Sequence, residues 1–171
     1  MMKKIVGLFA ILILLTGCAG NLRNGVSMLK EGNYEQAVEA FEKDVKKKRN
    51  LKEAYRGLGI AYFHLADYEA AVDMFELAVQ HGAEETATFC SFLGASYLET
   101  GAYNKALDTY EKGLACEDLT EGLEQEIQFN LIAVYENMGK WDAAKKQIKQ
   151  YIQKYPDDSR VDKEADFLET R

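Results

Sequence analysis

Gly32-Asn33-Tyr34-Glu35-Gln36-Ala37-Val38-Glu39-Ala40-Phe41 is a stretch that this chain states four times. It returns as Ala66-Asp67-Tyr68-Glu69-Ala70-Ala71-Val72-Asp73-Met74-Phe75 and as Gly101-Ala102-Tyr103-Asn104-Lys105-Ala106-Leu107-Asp108-Thr109-Tyr110. A shorter copy, Gly139-Lys140-Trp141-Asp142-Ala143-Ala144-Lys145, closes the series. The leading aromatic recurs at 34, 68, 103 and 141, at spacings of 34, 35 and 38 residues. Self-similarity at such a period marks a repeat architecture, in which each unit buries its apolar face only by stacking on its neighbours.

The residues before each copy repeat as well. Tyr55, Leu58, Gly59 and Tyr62 fall at i, i+3, i+4 and i+7, one face of a helix. Cys90, Leu93, Gly94 and Tyr97 repeat the face; Gln128, Leu131, Ile132 and Tyr135 repeat it with Ile in place of Gly. Asn24, Gly25 and Met28 are a weaker first copy. Each unit therefore reads as two helices joined by a tight turn. Gly32, Gly101 and Gly139 suit a left-handed cap ending the first helix, and Asn33 and Asp67 suit the N-cap of the second. The small pairs Gly59/Ala71 and Gly94/Ala106 let paired helices approach closely.

This pattern resembles the tetratricopeptide-repeat (TPR) family over residues ~20–158, at the ~34-residue period of that motif. The resemblance implies an all-α fold, a right-handed α-solenoid of antiparallel helix pairs. It divides the chain into four repeats at about 18–51, 52–86, 87–124 and 125–158, with 159–171 as a C-terminal capping helix. Val161, Ala165 and Leu168 share one face of that last helix. Two departures stand out. Asp44 sits where a small second-helix residue is typical, whereas Ala78 and Gly113 keep the pattern. Three or four extra residues around Leu119–Leu123 lengthen the third-to-fourth connection.

Ahead of the repeats, Met1-Met2-Lys3-Lys4 is basic, Ile5 to Leu15 is apolar, and Leu15-Thr16-Gly17-Cys18 closes the run. That order is a secretory leader, too short for the ~20 apolar residues of a membrane-spanning helix. Its last four residues resemble a bacterial lipobox. The resemblance implies that residues 1–17 are removed and that Cys18 carries diacylglycerol (with palmitate-type acyl chains), tying the chain to the cell envelope. The location implied is extracytoplasmic, on the outer face of the cytoplasmic membrane or on the outer membrane of a two-membraned bacterium.

The 171-residue chain has 21 Lys and Arg against 28 Asp and Glu, a formal charge of −7. Loss of Lys3 and Lys4 with the leader makes it more acidic still. An acidic domain repels phosphate backbones, which argues against nucleic acid as a partner. No catalytic constellation is legible. His64 and His81 have no neighbours at metal-ligand spacing, no serine lies in a nucleophile-elbow pattern, and Gly57-Leu58-Gly59 lacks the third glycine of a phosphate loop. The expectation is a non-enzyme with no metal or cofactor. Cys90 and Cys116 could form a disulfide only if their Cα atoms lay within ~7 Å. With Gly94 opposite Ala106, Cys90 falls opposite Tyr110 and Cys116 lies ~9 Å further along the axis, which disfavours a bond.

First helices carry a second apolar face: Leu22, Val26 and Leu29; Ile60 and Phe63 after Arg56; Ala95 and Leu98 after Ser91; Phe129 and Ala133. In the family resembled, first helices line a concave groove that binds peptides or helices. By position these residues would floor it, with Arg56, Lys30 and Glu99 at its rim. The Lys and Asn pair by which some family members grip a carboxylate has no counterpart, since Leu22 and Val26 stand there. Lys46-Lys47-Lys48-Arg49 is a basic block in an acidic chain, and it is expected to contact the membrane surface or to offset a helix-end dipole. Together these features predict a lipid-anchored, extracytoplasmic scaffold that binds a protein or peptide partner. The alternative is an accessory subunit of a cell-envelope enzyme or of a secretion or pilus assembly system.

Overall fold

The computed structural model describes residues 20–169, apart from some side chains of the last helix. The leader and Cys18 lie outside them. Nine helices and no strand occur among the described residues. They are α1 (20–31), α2 (Tyr34–Lys46), α3 (Leu51–His64), α4 (Tyr68–Gln80), α5 (Ala87–Glu99), α6 (Tyr103–Leu114), α7 (Glu121–Asn137), α8 (Trp141–Lys154) and α9 (Val161–Glu169). The all-α class and the antiparallel helix pairs are as the sequence predicts. No described helix is long and apolar enough to cross a membrane.

The turns inside the pairs follow one design. Gly32, Gly101 and Gly139 take φ of 76°, 77° and 67°, where a side chain would be strained. In the second pair Ala66 occupies the same place at φ 59°. Of the two expected N-caps, only Asp67 caps, its carboxylate accepting from the Ala70 amide at 3.2 Å. Asn33 makes no cap bond. Its side-chain amide donates instead to Glu31 at 3.2 Å, which ties the side chain to the preceding helix end. The first helices α5 and α7 are capped by Thr86 and Thr120, which accept from Phe89 and Leu123. The extra residues near Leu119–Leu123 do more than lengthen a loop: α7 is 17 residues long, against 13 for α5, and its first turn absorbs part of them.

The chain forms two compact units, one ending at Ala83 and the other beginning at Glu84. In the first, Ala37, Phe41, Ala54, Leu58 and Ala61 form the core, with Leu22, Met28, Leu29 and Tyr62 packed against it. In the second, Ile132, Ala144, Ile148, Tyr151, Tyr155, Val161 and Leu168 form a cluster that Phe129, Trp141 and Ala165 join. The face of α9 bearing Val161, Ala165 and Leu168 thus lies inward.

The helix-facing glycines seat rings. A Cβ built on Gly25 would stand 2.6 Å from the Phe41 ring, one on Gly59 2.9 Å from Phe75, and one on Gly94 2.6 Å from Tyr110. The expected Gly–Ala approach is therefore corrected: the space left by the missing Cβ is filled by the aromatic one turn beyond the alanine. The fourth pair shows the complement of the rule. There the ring is replaced by Ile148 and the glycine by Ile132, and both share one core cluster.

Candidate groove of the first helices

The second apolar face of the first helices is partly spent on packing. In the first unit Leu22 and Leu29 are half-buried against the core. Val26 stands 40 % exposed. On α3, Arg56 is exposed, and Ile60 and Phe63 are half-buried. Phe63 meets His64 and Tyr68 edge to face, each at 5.6 Å between ring centres. Of the large apolar side chains that stand exposed among the described residues, Val79 and Ile152 lie on second helices; Val26 alone lies on a first helix.

In the second unit Ala95 and Leu98 on α5, and Phe129 and Ala133 on α7, are half-buried. Phe129 is covered. Its ring lies 5.7 Å from that of Tyr151, and the Arg160 guanidinium sits 4.4 Å above its centre. Arg160 is held there by Glu126 at 2.9 Å and Asp158 at 2.8 Å. Asp158 also accepts from the Tyr151 hydroxyl and from the Gln125 amide. The Arg160 guanidinium first, then the Tyr151 hydroxyl, hold the Asp158 carboxyl well below the usual carboxylate range. The sequence predicts an apolar floor at Phe129; the structure puts a cation on it. Asp158 and Arg160 lie in the polar link before α9, where no periodic pattern ties them to a helix face 30 residues earlier.

His64 stacks on Tyr34 with ring centres 4.4 Å apart, and burial lowers its pKa. His81 stacks on Tyr55 at 5.2 Å. No group of three metal-binding side chains occurs among the described residues. Lys46, Lys47, Lys48 and Arg49 are all exposed at the end of α2, where Lys48 and Asn50 turn the chain with φ of 51° and 46°.

Cys90 and Cys116 are free thiols. The expected absence of a bond agrees with this, although the register inferred above does not hold. A Cβ on Gly113 would lie 2.9 Å from the Cys90 Cβ, so Cys90 faces Gly113 and not Tyr110. Gly94 in turn faces the Tyr110 ring, about one helical turn beyond Ala106.

Models of the tetratricopeptide repeat match residues 22–88 and 126–158, together more than half of the chain. The chain is a tetratricopeptide-repeat protein. Among curated proteins, Superkiller protein 3 of Saccharomyces cerevisiae is 28 % identical over 111 residues, 64 % of this chain; the match spans only 7 % of that protein's length. Among solved structures, MamA AMB-1 superposes with a TM-score of 0.73 at 20 % identity, covering 88 % of this chain and 86 % of MamA. YrrB, described as a TPR protein with an unusual peptide-binding site, gives 0.69 at 21 % identity, covering 81 % and 69 %. A thermophilic TPR protein of Thermus thermophilus, TTC0263, gives 0.61 at 22 % identity, covering 88 % and 80 %. At these identities the structural likeness establishes the TPR fold.

Proposed function

We propose that this TPR protein is a non-catalytic scaffold, anchored by lipid at Cys18 outside the cytoplasmic membrane, that binds a protein or peptide partner on its first helices. The observation that carries the binding role is the apolar surface of Val26 on α1 and of half-buried Ile60 on α3, where Arg56 stands exposed, left over after the core is filled. Burying such surface contributes ~25 cal/mol per Å², and the flanking cation adds orientation. The peptide-binding site named for YrrB supports the same use of the fold. The anchor rests on the order of residues 1–18: basic start, short apolar run, then Leu15-Thr16-Gly17-Cys18. Anchoring confines the scaffold and its partner to two dimensions.

One experiment tests both parts. Cells carrying wild type, Cys18→Ala or Val26→Glu are labelled with a fatty-acid probe, cross-linked and solubilised, and the chain is recovered. Labelling is expected in wild type and Val26→Glu and absent from Cys18→Ala, because only the thiol can receive the diacylglycerol. Cross-linked partner is expected to fall at least tenfold in Val26→Glu, since a charge desolvated against an apolar ligand is costly. Val26 is a better probe than Phe63 or Phe129, whose rings are engaged within the fold. Undiminished labelling in Cys18→Ala would sink the anchor, and undiminished cross-linking in a folded Val26→Glu would sink the groove.

A further inference from the structure

Cys90 is fully buried on α5, and Cys116 is half-buried two residues beyond the end of α6. One carbonyl oxygen joins them. The Cys116 thiol donates to the Glu85 carbonyl at 3.3 Å, and the Cys90 thiol points to the same oxygen at 3.8 Å. The Cys116 side chain folds back over the last turn of α6, with a second contact to the Lys112 carbonyl at 3.4 Å. In that turn Gly113 packs against the Cβ of Cys90 on α5. The surrounding segment is fastened as well: the Ala87 amide donates to Asp118 at 2.9 Å, and Lys112 pairs with Glu85 at 3.2 Å. Two thiols thus share one oxygen, on segments already held together.

We infer that Cys90 and Cys116 form an oxidisable dithiol, which reacts with a disulfide donor such as oxidised glutathione or an oxidised dithiol oxidoreductase to give an intramolecular bond. Exposure orders the steps. Burial pushes the Cys90 thiol up to about 12, with the neighbouring Cys116 adding to the effect, so Cys90 is not the first nucleophile. Cys116, the accessible thiol, loses its proton to solvent and attacks one sulfur of the donor. The donor's S–S bond breaks, one donor thiolate leaves, and a mixed disulfide remains on Cys116. Cys116 then carries no charge, which removes its repulsion of a Cys90 thiolate. Cys90 gives up its proton and attacks Cys116 Sγ, expelling the second donor thiolate. Overall the chain loses two electrons and two protons, and the donor gains them.

The bond would clasp the first turn of α5 to the link between α6 and α7. Those two first helices carry Ala95 and Leu98, and Phe129 and Ala133, and they contact each other. Oxidation therefore stiffens the apolar face of the second unit. The test supplies the donor, so its outcome does not depend on the anchor or on the groove.

The full chain is incubated with oxidised glutathione, mapped by mass spectrometry without reduction, and melted before and after dithiothreitol. The expected result is a cross-link between the peptides of Cys90 and Cys116 and a rise in melting temperature of roughly 5–10 °C, both reversed by dithiothreitol. Cys90→Ala should stop at the mixed disulfide, with glutathione retained on Cys116. Cys116→Ser should form no cross-link and no adduct on Cys90. A lasting glutathione adduct on Cys116 in the wild type, a cross-link to Cys18 in its place, or no reaction would overturn the assignment.

Discussion

Asp44 is the residue at which this chain breaks its own pattern. The equivalent positions in the next two repeats are Ala78 and Gly113, small and buried. Asp44 is as buried as they are, at 0 % exposure, yet neither carboxylate oxygen has a hydrogen-bond partner among the described residues. Leaving a buried polar group unmade costs about 1–3 kcal/mol, while shortening Asp to Ala opens only a small void. Asp44→Ala is therefore expected to stabilise the chain by about 1–2 kcal/mol, read as a higher urea midpoint with unchanged slope. Asp44→Asn separates charge from shape, and it should recover less of the gain because its amide is equally stranded. A loss of stability in Asp44→Ala would mean that the carboxylate holds a partner beyond the described residues, and the departure would then be a device of the first repeat.

At the scale of helices, the recurring contact is a ring seated on a glycine. Phe41 shows it twice, since a Cβ on Gly25 or on Gly57 would fall 2.6 or 2.4 Å from its ring. One phenylalanine ring on α2 thus meets both α1 and α3. Gly57→Ala gains up to ~1 kcal/mol of helix propensity but overpacks a closed space, which costs about 1–3 kcal/mol. The net expectation is destabilisation by about 1–2 kcal/mol. In a Phe41→Leu background the ring is gone, so the same substitution should become neutral or favourable. A double-mutant cycle by chemical denaturation measures the coupling, and equal costs in both backgrounds would refute the seat. Much of this was open to sequence reading. The period gave the pairs, and glycine at the end of the first helix gave their turns. What failed was finer than the period. In the third pair the expected register missed that Cys90 faces Gly113 and Gly94 faces the Tyr110 ring, whose volume no spacing rule weighs. The cation on Phe129 comes from Arg160, in a link without periodicity. Val26 and Phe63 read alike as floor residues, but only neighbours that the sequence does not reveal make one exposed and the other packed.

At the scale of the whole molecule, the anchored reading raises the question of how an acidic chain would meet a surface that is itself negative. The net charge of −7 repels anionic lipid, and only Lys46-Lys47-Lys48-Arg49 gathers four exposed cations in succession. Their location gives the block a use. α1 and α2 are antiparallel partners joined at Gly32, so the end of α2 lies at the same end of the pair as the start of α1. Cys18 precedes that start by two residues in sequence. On the anchored reading the block belongs at the membrane-facing end of the first pair. Each cation near an anionic surface contributes ~1 kcal/mol, within a Debye length of ~8 Å. On that reading a diacyl anchor would retain the protein, and four such charges would serve to orient it. A leaderless, unlipidated chain should therefore bind vesicles containing phosphatidylserine or phosphatidylglycerol at low salt and release them as salt rises. Changing all four residues to Gln should cut that binding by at least tenfold, with helicity unchanged. The competing account is local: cations at the end of α2 offset its negative dipole end, worth about 0.3–1 kcal/mol. On that account neither protein binds vesicles, and the Gln variant merely melts a few degrees lower, so vesicle sedimentation and a melting curve on the same two proteins decide between them.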